Sequence, residues 1–199
     1  MNTSQIYWAR IISNLLSPPI VWGVMVFPIA FHYATSRSQA LIWAFTYGIT
    51  VCLLPILYIA WRVHQGHISD LHMKDREERI GPFVVSMVCA ILAWSILRLM
   101  GAPPILPLVA GVTLVQLMVM TLITLVWQIS MHTMSIAVAV VATGYVFGPA
   151  SALVVSPLVP LVGAARLKLH RHTPAQVVAG TIVGAVIPLL MIALLMSPV

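Results

Sequence analysis

Long apolar runs alternate with short polar islands along this chain. A membrane-spanning helix needs about 20 mostly apolar residues. On that ruler the pattern predicts helices at 18–35, 40–61, 82–100, 104–127, 132–148, 150–164 and 176–197. Residues 133–165 form one uncharged run, too long for a single simple span, and Gly148-Pro149 marks the break. Ahead of Pro18-Pro19, residues Ile6, Ala9, Ile12, Leu15 and Leu16 fall on one helical face. That spacing predicts a short interfacial helix over 1–17, followed by a single transmembrane domain over 18–199. The expected fold is all-α, a polytopic transmembrane helix bundle with six to seven spanning helices. The first residues lack the pattern of a cleavable signal.

Composition agrees with the pattern. The chain is 61% hydrophobic and 7% charged, against about a quarter charged for a soluble domain. An isoelectric point near 9.9 reads as contact with anionic headgroups or a phosphate substrate. No nucleic-acid-binding motif accompanies it. Cys52 and Cys89 lie in apolar runs without metal-ligand spacing and read as packing residues.

The ionisable side chains are concentrated in three islands: Arg62 to Arg79, Gln128 to His132, and Arg166 to Gln176. Together they hold all four acidic residues, six of the seven histidines and seven of the ten Lys/Arg. Alternating the helices across a membrane puts all three islands on one side. Arg10 joins them there, leaving only Arg37 and Arg98 opposite, so the positive-inside rule makes the island side cytoplasmic.

In the third island, Thr173-Pro174 supplies an N-cap and a proline at the first helical position, and Gln176 completes a Thr-x-x-Gln capping box. His172 therefore sits just outside a helix N-terminus, where unpaired N–H groups and the helix dipole favour an anion. In the second island Ser130 is a candidate cap, with His132 in the first turn. The first island supplies Arg76 and Arg79 ahead of Pro82, another candidate helix start. Arg, His and Ser at three helix entrances suit a dianionic group. Guanidinium forks grip phosphate oxygens, one histidine can attack phosphorus, and a second can protonate the leaving alcohol.

Here the chain resembles the type 2 phosphatidic acid phosphatase family, integral-membrane relatives of bacterial acid phosphatases and vanadium haloperoxidases. That family's motifs read KxxxxxxRP, PSGH and SRxxxxxHxxxD. Ala165-Arg166, His172 and Gln176 match the third, with glutamine where the family has aspartate. Ile129-Ser130-Met131-His132 matches the second, with methionine for glycine. Arg79 takes the arginine of the first, His72 stands at its lysine position, and the proline comes late, at Pro82. The resemblance covers about residues 70–184. It implies a metal-independent lipid phosphatase in which His172 forms a phosphohistidine and His132 is the general acid. Gln176 would orient the nucleophile, while Arg79, Arg166 and Ser130, with His72 or Lys74 in the lysine's place, would hold the phosphoryl oxygens. The implied partners are a lipid phosphate and membrane lipids, with no cofactor.

Other readings stay open beside this one. Gln176 and Ser130 serve equally well as helix caps alone. A neutral glutamine in place of the aspartate is compatible with a catalytically weakened member that binds anionic lipid as an accessory protein. In the serine-protease triad the corresponding loss of charge lowers turnover by about four orders of magnitude. Asp70, Asp75, Glu77 and Glu78 interleave with Lys74, Arg76 and Arg79, a pattern expected to form surface ion pairs. Every acid lies in that one loop, so a magnesium site needing two carboxylate clusters is excluded. Gly180 and Gly184 form a small-xxx-small face for close helix packing.

Overall fold

The computed structural model describes residues 3–69 and 77–196, with side chains from Ile6 onward. Among them the chain is helical, without strands. The helices are α1 (Thr3–Leu15), α2 (Pro18–Tyr33), α3 (Arg37–Tyr47), α4 (Leu54–His64), α5 (Ile80–Leu99), α6 (Ile105–Thr124), α7 (Met131–Phe147), α8 (Pro149–Val155), α9 (Leu158–Lys168) and α10 (Pro174–Leu195).

Each apolar run predicted from the sequence is helical, and two of them are interrupted. The run predicted at 40–61 extends over Arg37–His64 and contains a π-helical turn, Gly48–Leu53. Pro55 just beyond that turn has no N–H for the ordinary i−4 bond. The ladder widens there, and the Leu54 N–H donates to Ile49 O, five residues back. The run predicted at 150–164 breaks at Ser156-Pro157 into α8 and α9. At the expected Gly148-Pro149 break, Gly148 takes φ 91 and ends α7, while Pro149 opens α8.

Five helical stretches are long and apolar enough to cross a membrane: Arg37–His64, Glu77–Leu99, Ile105–Thr124, Pro149–Lys168 and Pro174–Leu195. The pair α1–α2 makes a sixth if counted as one broken span. Outward-facing positions on these stretches are themselves apolar, among them Phe45, Val88, Leu92, Leu122, Val154, Ile182 and Leu190. Water does not solvate such a surface favourably, and it is that of a membrane-associated protein.

The described residues fall into two compact units. One comprises the chain up to Val21 together with Ile129 onward, and the other is Trp22–Gln128. In the second unit α5 and α6 form an antiparallel pair, with α3 and α4 against α5. Its core includes Trp43, Tyr47, Ala90, Ala93, Leu97, Leu106, Ala110 and Leu117.

In the first unit α7 packs against α8, α9 and α10, and α1 packs against α9. Glycine sets the α7–α10 distance. A Cβ on Gly180 would run into the Ser130 carbonyl oxygen and lie 2.8 Å from Thr133 Oγ1, and one on Gly184 would strike the Met134 carbonyl oxygen. The small-residue face read from the sequence is therefore a close backbone-to-backbone approach. On α1 the inward positions are Ala9 and Ser13, with Ile6, Ile12 and Leu16 half-buried. Leu15, which the helical wheel placed on the same face, is 60% exposed. The true stripe advances by three and four residues through 6, 9, 13 and 16, which turns position 15 outward.

Candidate functional site

The site grows from helix ends in the first unit. Arg166 lies in the last turn of α9 and is 5% exposed. Past it the chain reverses through a pair of bonds, His170 N–H to Leu167 O (3.0 Å) and Arg171 N–H to Arg166 O (3.1 Å). These form a Schellman motif, which demands the left-handed conformation at its turning residue. Helices α4 and α5 end with the same bond pattern around Gly66 (φ 73) and Gly101 (φ 68). In α9 the turning residue is His170, at φ 51. A side chain in that conformation costs about 1 kcal/mol, so the α9–α10 turn carries strain that the other two avoid.

The turn delivers His172 to the start of α10. The Gln176 N–H donates to Thr173 Oγ1 (3.4 Å) and Gln176 Oε1 accepts from the Thr173 N–H (3.0 Å), completing the expected capping box. The same Oε1 lies 3.2 Å from His172 Nδ1. Since that amide oxygen already accepts from the backbone, it faces the ring as an acceptor. The imidazole therefore carries its hydrogen on Nδ1, and in the neutral ring the lone pair lies on Nε2. Gln176 caps the helix and orients the histidine at once.

The second island meets the third. Ser130 caps α7, with Oγ accepting from the Thr133 N–H at 3.4 Å. The Ser130 N–H donates to the Gln176 backbone carbonyl (3.0 Å), and Thr133 Oγ1 donates to the Val177 carbonyl (3.1 Å). Two helix entrances 46 residues apart in the chain are thus bonded together. His132, 8% exposed, points its Nε2 at the backbone carbonyl of Ser13 on α1 (3.1 Å), with the Ser13 hydroxyl at 3.4 Å. Arg166 Nη1 donates to the same hydroxyl at 2.7 Å. Ser13 therefore joins the arginine of one motif to the histidine of the other.

Of the residues singled out from the sequence, His172, Gln176, Ser130, His132 and Arg166 all belong to this connected cluster. Arg79 belongs to the second unit, ending a 3-10 turn (Glu77–Arg79) that leads into α5, with Pro82 buried in its first turn. His72 and Lys74 lie outside the described residues, as do Asp70, Asp75 and Arg76. The Glu78 carboxylate accepts from both the Ser69 N–H (2.9 Å) and its hydroxyl (2.8 Å), so it ties the middle of the first island to the turn before α5. Among the described residues no group of three His, Cys, Asp or Glu is arranged to hold a metal ion.

Ser13 was the residue missed. Its signal was a polar side chain four after Ala9 and three before Leu16, on an otherwise apolar stripe. Such a residue must find a bonding partner inside.

A scan against protein-family models finds no match to this chain, and searches of the curated proteins and of the solved structures find none either. The family resemblance rests on the motif residues alone.

Proposed function

We propose that the chain is a membrane-embedded lipid phosphatase of the type 2 phosphatidic acid phosphatase kind. It would hydrolyse a phosphate monoester or diphosphate of a lipid through a phosphohistidine. The observation that carries this reading is the union of the second and third motifs in one cluster, with His172 held by Gln176 in the tautomer that a nucleophile requires. In-line attack would come from Nε2 of His172. Gln176 would accept the Nδ1 hydrogen bond as the ring gains positive charge. Arg166 and Ser130 would neutralise and orient the phosphoryl oxygens, and His132 would give its proton to the leaving alcohol.

On this reading α7 is a further span, giving six to seven in all. The cluster opens on the cytoplasmic side of the plasma (inner) membrane, and the lipid tail enters laterally between helices. The test is phosphate release from phosphatidic acid, phosphatidylglycerol phosphate and polyprenyl phosphates by detergent-purified protein. His172→Ala should lower release to background while leaving the thermal unfolding midpoint within a few degrees. Full activity in that variant would sink the mechanism.

A second reading is a weakened member that binds anionic lipid without turning it over. What favours it is the division of Gln176 Oε1 between the Thr173 N–H and His172 Nδ1, which leaves a neutral, shared acceptor where the family has a carboxylate. Binding of vanadate with no release from any of the three lipids would select it.

A further inference from the structure

The family motifs assign α1 no chemistry, yet Ser13 is where Arg166 and His132 meet. It is 2% exposed. A guanidinium only donates, so Ser13 Oγ accepts from Arg166 Nη1 at 2.7 Å. A backbone carbonyl only accepts, so the 3.1 Å contact from His132 Nε2 to Ser13 O requires a hydrogen on Nε2. The hydroxyl, 3.4 Å from that nitrogen, consequently faces two donors, and its own O–H has an acceptor in neither. The usual outlet for a helical hydroxyl is a carbonyl three or four residues back. Thr113, Thr121, Thr124 and Thr143 use it, but among the described residues Ser13 does not.

A buried O–H donor set beside a guanidinium and an imidazole N–H suits an oxygen that accepts and carries negative charge. We propose that Ser13 is a ligand of the phosphoryl group, donating its O–H to a phosphoryl oxygen while its lone pair keeps one N–H of the Arg166 fork in register. The inference rests on the phosphatase reading for its substrate but on α1 for its geometry. It makes the N-terminal helix a wall of the binding site.

The experiment uses the full chain in detergent, with inorganic phosphate as the binding probe and a lipid phosphate as substrate. Ser13→Ala should raise both the KM for lipid phosphate and the inhibition constant for inorganic phosphate about tenfold, the usual loss for one hydrogen bond to a charged group. Ser13→Thr, which keeps the hydroxyl, should recover most of that affinity. Should Ser13→Ala fail to fold, Ser13→Cys, close in size but a weak donor, is read the same way.

Unchanged phosphate affinity in folded Ser13→Ala, with the parent protein active, overturns the ligand assignment and leaves the phosphatase reading standing. A parent that releases no phosphate yet binds it more weakly after Ser13→Ala overturns the phosphatase reading and keeps the assignment. A parent that neither releases nor binds phosphate overturns both.

Discussion

In the second unit, hydroxyl groups bond mostly to their own helices. Thr46, Thr50, Ser86, Thr121 and Thr124 each donate to the carbonyl four residues earlier, at 2.6 to 2.7 Å. Tyr47 does reach across from α3 to Thr113 on α6, at 3.0 Å. In the first unit Ser135, Thr143 and Thr181 likewise bond within their own helices, but further bonds run between elements, linking α1 to α7 and α9 and the start of α7 to the start of α10. A bond within a helix satisfies a polar atom but fixes no relation between helices. A bond between helices does both, and positions side chains to within a fraction of an ångström, as a reacting site requires. The first unit therefore adds bonds that fix helices against one another, and the proposed site lies among them.

Glycine offers the sharpest way to break the contrast. Gly180→Ala drives a methyl into the Ser130 carbonyl at the seam that joins the two motifs. We expect a loss of about 3 kcal/mol, at the upper end for overpacking, together with loss of phosphate release. Gly48→Ala in the second unit meets nothing within 4 Å and should be neutral or stabilising by up to about 1 kcal/mol. Thermal unfolding of the two variants side by side reads the difference. Equal sensitivity would show that the α7–α10 seam is no tighter than an ordinary helix surface.

Gln116 tests the other unit. It is fully buried in α6, and among the described residues neither amide atom has a hydrogen-bond partner. Gln116→Leu, similar in volume and apolar, should stabilise the protein by about 2 kcal/mol and leave phosphate release unchanged. A drop in release would bring the second unit into the chemistry.

The smallest effect concerns the strained turn. His170→Gly should raise stability by about 1 kcal/mol, because the left-handed conformation then costs nothing. Since His170 is exposed, release should persist; a large loss would assign its imidazole a part in the reaction.

Much of the fold could be read from the chain because apolar run length and punctuation are local signals. Gly148-Pro149, the Thr173 capping box and the Ser130 cap each depend on a few adjacent residues, and each lies where the spacing put it. The π-helical turn was less legible. Its cause, Pro55, was visible, but a proline in an apolar run is equally compatible with a kink or a clean break. In the site, partners close in the chain, such as Gln176 with Thr173 and His172, could be named, but those from other helices could not. Ser13 bonds to Arg166 across 153 positions, a relation that no window along the chain contains. The stripe on α1 went astray at Leu15 for a related reason. On one helix alone, hydrophobicity does not say which side its partner takes.

That separation also sets a schedule for making the protein. At the usual translation speed of about 5–20 residues per second, Ser13 is made roughly 8 to 30 seconds before Arg166, 153 positions later. Its hydroxyl must wait through the synthesis of every intervening helix. Helix α1 is thus made well before it can find its place, and no nascent chain that stops short of Arg166 can assemble the arginine–serine–histidine contact.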